Sequence, residues 1–142
     1  MSIWKTTATP EMINSNAKNS MVEALGIVVT EVGDDYIKGT MPVDHRTVQP
    51  FGLLHGGASV ALAETLGSVA GGMTVNMPEE VVVGLEINAN HIKGAKSGIV
   101  TGVAKPIHIG GRTQVWEIRI TNEKDELVCI SRLTLAVIKP KS

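Results

Sequence analysis

The sequence predicts an α+β fold in which an antiparallel β-sheet wraps one long central helix. Three observations carry this expectation. His55 to Met73 runs for nineteen residues with Glu64 as its only charge, and a helix that is apolar all round is one the rest of the protein buries. The segments before and after it are rich in β-branched residues at alternating positions, the period of strands. No other long element is available to cover the helix, so the sheet must do so.

Pro10 to Asn19 reads as a short helix with Pro10 near its first turn, and Ser20 to Leu25 as another, with Ser20 capping and Glu23 three residues on. Ile27 to Val32, the turn Gly33-Asp34-Asp35 and Tyr36 to Val43 make a hairpin. Asp44 to Leu54 is a loop that leads into the helix. Four more strands follow at Glu80–Lys93, Gly98–Ile109, Arg112–Thr121 and Leu127–Ile138, the last two joined by the polar turn Asn122 to Glu126. Gln114, Trp116, Ile118 and Ile120 fall on one face and Thr113, Glu117 and Arg119 on the other, the mark of a sheet with one buried side. No repeat or linker divides the chain, so one domain is expected over residues 1–142, with only its termini weakly ordered.

Composition narrows the function classes. The chain is 43% hydrophobic, enough for a packed core. Lys and Arg total 13 against 14 Asp and Glu, and a net charge of -1 provides no steering toward nucleic acid or an anionic membrane. A single cysteine, Cys129, cannot form an internal disulfide and suits packing in a reducing compartment. Lys5, Thr6, Thr7, Thr9 and Pro10 occupy the region where an export signal would be apolar, and no uncharged apolar run approaches membrane-spanning length. A soluble cytoplasmic protein is expected. His45, His55, His91 and His108 are scattered without cysteine partners, so no metal is expected. Gly57-Ala58-Ser59-Val60-Ala61 lacks the second glycine of a nucleophile elbow, which makes Ser59 a packing residue.

Glu64 is the residue that most needs explaining. An ionised carboxylate inside an apolar helix is costly unless it is paired or used. A buried ion pair or a subunit seam would account for it, as would catalysis. Gly57, Ala61, Glu64 and Ser68 share one stripe of the helix, and the small size of Gly57, Ala61 and Ser68 lets a ligand or a second helix come close. At the helix start, Gly56 and Gly57 present amide hydrogens that have no intrahelical partner, where the macrodipole favours negative charge. They form an oxyanion site or merely a tight turn. Glu64 lies eight residues beyond Gly56, about 12 Å along the axis at 1.5 Å per residue. One carbonyl cannot touch both within a chain. Two such helices antiparallel across a two-fold axis would bring Glu64 of one chain near Gly56 of the other.

The run Gln49-Pro-Phe-Gly-Leu-Leu-His-Gly-Gly-Ala-Ser59 with Glu64, followed by Val83 to His91, closely resembles the hotdog-fold acyl-CoA thioesterases over nearly the whole chain. Met41-Pro-Val-Asp44, Glu86 to His91 and Gln114-Val-Trp116 are most similar to the branch that holds the 1,4-dihydroxy-2-naphthoyl-CoA hydrolases of menaquinone biosynthesis and the proofreading aryl-carrier-protein thioesterases of enterobactin synthesis. The resemblance implies Glu64 as nucleophile or general base and the Gly56 amide as polariser of the thioester carbonyl. It implies Gln49 positioning the carbonyl or water, His55 holding the loop and lining the pocket, and Ser68 orienting the carboxylate or water. Coenzyme A would run along Gly84, along His91, Ile92, Lys93 and Gly94, and along His108, Ile109, Gly110, Gly111, Arg112 and Thr113. Lys93, Lys96 and Arg112 are cations suited to its phosphates. No cofactor beyond the CoA of the substrate is implied, and self-association as a dimer or a dimer of dimers is. The aromatic acyl preference comes from the resemblance alone, because Trp4, Tyr36, Phe51 and Trp116 form no diagnostic pattern. A hotdog dehydratase or isomerase pairing His55 with the carboxylate, and an acyl-CoA-binding module, are the alternatives.

Overall fold

Alternation of apolar and polar side chains builds the sheet from the segments the sequence predicts. The computed structural model describes residues 1–141. Its elements in chain order are α1 (Pro10–Ser15), α2 (Met21–Ala24), β1 (Val28–Val32), β2 (Ile37–Pro42), α3 (Gly56–Met73), β3 (Val81–His91), β4 (Ile99–Ile109), β5 (Thr113–Thr121) and β6 (Leu127–Ile138). The six strands form one antiparallel sheet in the order β1-β2-β4-β5-β6-β3. The strand that directly follows α3 in sequence therefore lies at an edge, beside the last strand.

The sheet curves around α3 through its apolar face. Trp116, Ile118, Ile120, Leu133 and Leu135 are fully buried, as the alternation in β5 and β6 predicts, while Thr113 and Arg119 are exposed. Gln114 shares the inner face and is fully buried, so its polar groups need partners. Its amide donates to Thr74 Oγ1 at 2.8 Å, and its carbonyl accepts from Trp116 Nε1 at 2.9 Å. Paired Gly39 of β2 and Gly102 of β4 lie beneath Leu66 of α3. A Cβ on either would stand 2.7 or 2.8 Å from a Leu66 methyl group, so only glycine lets the helix approach this far. Cys129 is buried in the same core, and burial pushes its thiol pKa up.

The sheet wraps α3 as expected, and it leaves one side of the helix uncovered. Leu62, Ala63, Leu66, Gly67, Ala70 and Gly71 are buried, whereas Ala61, Glu64, Thr65, Ser68, Val69 and Gly72 form a partly exposed stripe on the opposite side. A small, nearly uncharged stripe beside a buried one reads as an all-round apolar helix in sequence.

The N-terminal helices are shorter than predicted because their polar residues have other uses. Beyond Ser15, the last residue of α1, the chain turns through Asn16 toward Asn19, which adopts a positive φ of 61°. Asn14 accepts the Val29 N–H at 2.8 Å and donates to the Val29 carbonyl at 2.9 Å, fixing α1 to the edge strand β1. The Ser20 hydroxyl donates back to the Ala17 carbonyl instead of capping α2, and Glu23 receives the Asn19 N–H. The N-terminal residues, expected to be weakly ordered, are tied down. The N–H groups of Lys5 and Thr6 both donate to the Met73 carbonyl at the end of α3. Trp4 stacks on Trp116 and donates from Nε1 to the Gly33 carbonyl at 2.6 Å.

Candidate active site

The start of α3 is held by the loop that precedes it. Thr47, 2% exposed, donates from Oγ1 to the Pro42 carbonyl and accepts the Asp44 N–H, and its own carbonyl accepts the His55 N–H at 2.8 Å. Leu54 N–H donates to Ala95 O at 2.7 Å, anchoring the loop from the other side. His55 is the N-cap, and its Nδ1 accepts the Gly57 N–H at 2.8 Å. The Gly56 N–H, in the first helical position, donates to no group among the described residues. A helix N-terminus with a free amide is electropositive and open to an anionic oxygen.

Around that amide the structure gathers several of the predicted residues. A Cβ at Gly56 would sit 3.0 Å from His91 Nε2, so the imidazole packs directly against it. Gln49, Leu53, Gly56, His91, Lys93 and Gly94 share a cleft of about 290 Å³, which Ile92 also lines. Gln49 Oε1 accepts the Phe51 N–H, which orients the side chain. Lys93 forms an ion pair with Glu126 at 3.0 Å, whereas Lys96 and Arg112 have no such partner among the described residues. Both members of the Lys93 pair are exposed and screened by solvent, so Lys93 can turn to a phosphate at little cost.

Glu64 projects from the open stripe of α3, half-buried and with no hydrogen-bond or ion-pair partner among the described residues. Its Oε2 lies 3.0 Å from where a Cβ on Gly84 would be, so the absence of a side chain in β3 makes room for the carboxylate. The strand bulges directly after this point, between Gly84 and Glu86. Ala61, Thr65, Ser68 and Val69 flank Glu64, together with Met21 and Val22 of α2. No hydrogen bond joins Ser68 to Glu64 among the described residues. Through Val22, Thr65, Ser68 and Val69 this surface continues into an apolar cleft of about 460 Å³, whose far walls include Ile13, Ala17, Val29, Met73 and Val82. That size lies within the roughly 300 to 1,000 Å³ of small-molecule sites.

The remaining predicted residues lie elsewhere. Gly110 N–H donates to Thr113 O at 2.9 Å in the tight β4–β5 turn, and His108 folds over Gly110. Ile109, Gly110 and Gly111 line a cleft with Thr74, the C-cap of α3. With 18 residues in α3, this is about 27 Å from Gly56. Within one chain the structure thus brings Gln49, His55, Gly56 and His91–Gly94 together, and Glu64, Ser68 and Gly84 together. It joins neither group to His108–Thr113. Among the described residues no three His, Cys, Asp or Glu side chains cluster to hold a metal ion, and no helix is long and apolar enough to cross a membrane.

Residues 51–129, more than half of the chain and including Gly56, Glu64, Gly84 and His91, match the thioesterase superfamily model. The chain belongs to the thioesterase superfamily. This thioesterase is 55% identical over 136 residues to the 1,4-dihydroxy-2-naphthoyl-CoA hydrolase of Escherichia coli, covering 96% of this chain and 99% of that one. It is 52% identical over 136 residues to the proofreading thioesterase EntH of Cronobacter sakazakii, covering 96% and 98%. The crystal structure of a thioesterase from Haemophilus influenzae superposes with a TM-score of 0.94 at 54% identity, covering 96% of this chain and 95% of that one. The hotdog fold expected from the resemblance is the fold observed, and the family's chemistry is thioester hydrolysis.

The sequence reading of this thioesterase missed the apolar cleft beside Glu64. Its walls come from α1, α2, β1, α3 and β3, and no local pattern tells which elements will meet. The one available signal was the set of small residues around Glu64, which marked the open side of the helix but not what covers it.

The loop ahead of α3 yields an acid-stability prediction. Hydrogen bonds from the Arg46 guanidinium and backbone N–H hold the Asp44 carboxyl at about 2, against an ordinary 3.8. The native state therefore favours the charged form. The contribution is complete above the unfolded value and is lost as pH falls through about 2. Asp44→Asn should lower the urea midpoint at pH 5, and the gap from wild type should close as pH falls from 4 toward 2. A gap that does not change with pH would rule out this ion pair as its source.

Proposed function

We propose that this thioesterase hydrolyses aromatic acyl-CoA thioesters in the cytoplasm, foremost 1,4-dihydroxy-2-naphthoyl-CoA of menaquinone biosynthesis, in sites shared between two chains. The observation that carries the reading is an unpartnered Glu64 carboxylate beside an apolar cleft of about 460 Å³. The 55% identity to the Escherichia coli naphthoyl-CoA hydrolase supports the acyl class.

The aromatic acyl group lies in the cleft, with its thioester carbon at Glu64. The carboxylate acts on that carbon directly or through a water whose proton it takes. As oxygen adds, the carbonyl electrons move onto the former carbonyl oxygen, and the Gly56 N–H of the partner chain receives the anion. Collapse breaks the carbon–sulfur bond and expels the CoA thiolate, which takes up a proton. Where water has added, the acyl product is the free acid. Where Glu64 has added, it is a Glu64–acyl anhydride, which a water then hydrolyses to the free acid and the regenerated carboxylate. Gln49 positions the carbonyl or water, His55 fixes the loop through the Gly57 N–H, and Ser68 lies one turn beyond Glu64 to orient the water. The separation of about 12 Å along the helix requires two chains. The same antiparallel pairing sets His108–Thr113 of one chain toward the His91–Gly94 cleft of the other, giving CoA one continuous path. A dimer of dimers is the expected assembly.

Free-thiol detection across a panel of purified acyl-CoAs tests the substrate. Naphthoyl-CoA or benzoyl-CoA should give a higher kcat/KM than acetyl-CoA or a long fatty acyl-CoA. The aromatic assignment fails if either aliphatic substrate is best. The 52% identity to a proofreading thioesterase favours a second reading, an aryl group on carrier protein. It would replace the first if the aryl-carrier thioester were hydrolysed faster than the CoA ester of the same acid.

A further inference from the structure

We infer that the N-terminal segment from Ile3 to Val22 is the specificity wall of the acyl cleft, and that Ile13 and Ala17 set which acyl groups fit. The inference rests on the reading of that cleft as the acyl site. One side of the cleft is formed by α3 and β3 through Val69, Gly72, Met73, Val81 and Val82. The other is supplied by Ala8, Ile13, Asn14, Ala17 and Val22, all from the first 22 residues.

Those residues do not make a second core. Neither α1 nor α2 contains a fully buried residue, and helices of six and four residues are not stable alone. What places them is a short set of fastenings. Asn14 pairs with both backbone groups of Val29, Lys5 and Thr6 hold the Met73 carbonyl, and Trp4 bonds to Gly33. Ala8, Ile13 and Val22 line the cleft and also pack partly against the core, whereas Ala17 lines the cleft without joining the core. Ala17 is therefore the side chain that packing of the sheet constrains least, and it can change with the acyl group while α3 and Glu64 stay as they are. Ala17 and Ala8 carry the smallest of these side chains, so a larger residue at 17 takes space from the cleft.

The test uses the full chain. Ala17→Phe places a ring in the cleft from the N-terminal side without touching α3. It should lower kcat/KM for benzoyl-CoA or naphthoyl-CoA by about tenfold or more, mainly through KM, and should lower the aromatic-to-acetyl ratio by about tenfold, the scale on which pockets discriminate by size. Asn14→Ala removes the fastening to β1 and should reduce the aromatic-to-acetyl ratio by about tenfold while limited proteolysis shows faster cleavage before Val22. If Ala17→Phe fails to fold, Ile13→Ala serves, and widening the cleft should shift preference toward the larger acyl group. An unchanged ratio in a folded Ala17→Phe or Ile13→Ala protein overturns the inference. A wild-type protein that prefers aliphatic chains, with the preference still moved by Ala17→Phe, supports the wall and sinks the aromatic assignment instead.

Discussion

Glu64→Ala and Glu64→Gln should each lower kcat by on the order of 10³-fold or more while leaving the thermal midpoint close to that of wild type. The structure gives both halves of this expectation. Glu64 lies on the open stripe of α3, next to a cleft and with space cleared for it by Gly84. It has no hydrogen-bond or salt-bridge partner among the described residues, so truncating it strands no buried group. A structural glutamate would behave in the opposite way, with a fall in stability and little change in turnover. Steady-state hydrolysis and a melting curve on the same preparations separate the two. Near wild-type turnover in either variant would sink the mechanism.

Mixing two inactive variants should restore activity. Glu64→Ala removes the carboxylate and Gly56→Pro removes the oxyanion amide. Proline suits this position because Gly56 is the first helical residue, where proline is well tolerated. His55 already has φ -67° and ψ 132°, the extended conformation required before proline. The lost N–H has no partner among the described residues, although the new Cβ requires His91, which is exposed, to swing aside. If each site uses Glu64 of one chain and Gly56 of the other, a mixed dimer contains one intact site and one doubly defective site. Random exchange of equal amounts makes half the dimers mixed, so about a quarter of wild-type activity should return. If each chain holds a complete site, the mixture stays inactive. Mass spectrometry of differently tagged chains verifies exchange, and a fully active monomer would overturn the geometry.

The sheet was legible because its strands carry their own signal. Gln114, Trp116, Ile118 and Ile120 alternate with outward residues, and each is fully buried. The strand limits from β4 to β6 were read to within a residue or two. The helix was legible in position but not in exposure, since alanine, glycine, serine and valine look the same whether they face Leu133 or open space. Gly67 meets Leu133 while Gly72 has only Val82 at 4.0 Å, and nothing in the two glycines distinguishes them. Glu64 stood out from chemistry, because a carboxylate in an apolar helix breaks a local rule, and Gly56 from its place at the helix start, whereas His55 was marked by the family resemblance. The grouping of Gln49 with His91 is different. It depends on the Val48–Leu54 bridge and on the edge position of β3, both products of tertiary pairing that no spacing in the chain displays.

Trp4 and Trp116 are the only two tryptophans, and their rings are 6.4 Å apart and within 5° of parallel. One belongs to the N-terminal segment and the other to the centre of β5. With both tryptophans in this one contact, the tryptophan part of the near-ultraviolet circular dichroism and all of the tryptophan emission report on it. Displacing the first residues of the chain uncouples the pair without unfolding the sheet. The chain thus has a built-in optical gauge, readable in a stopped-flow cell without any label, for the moment its N-terminal segment leaves or returns.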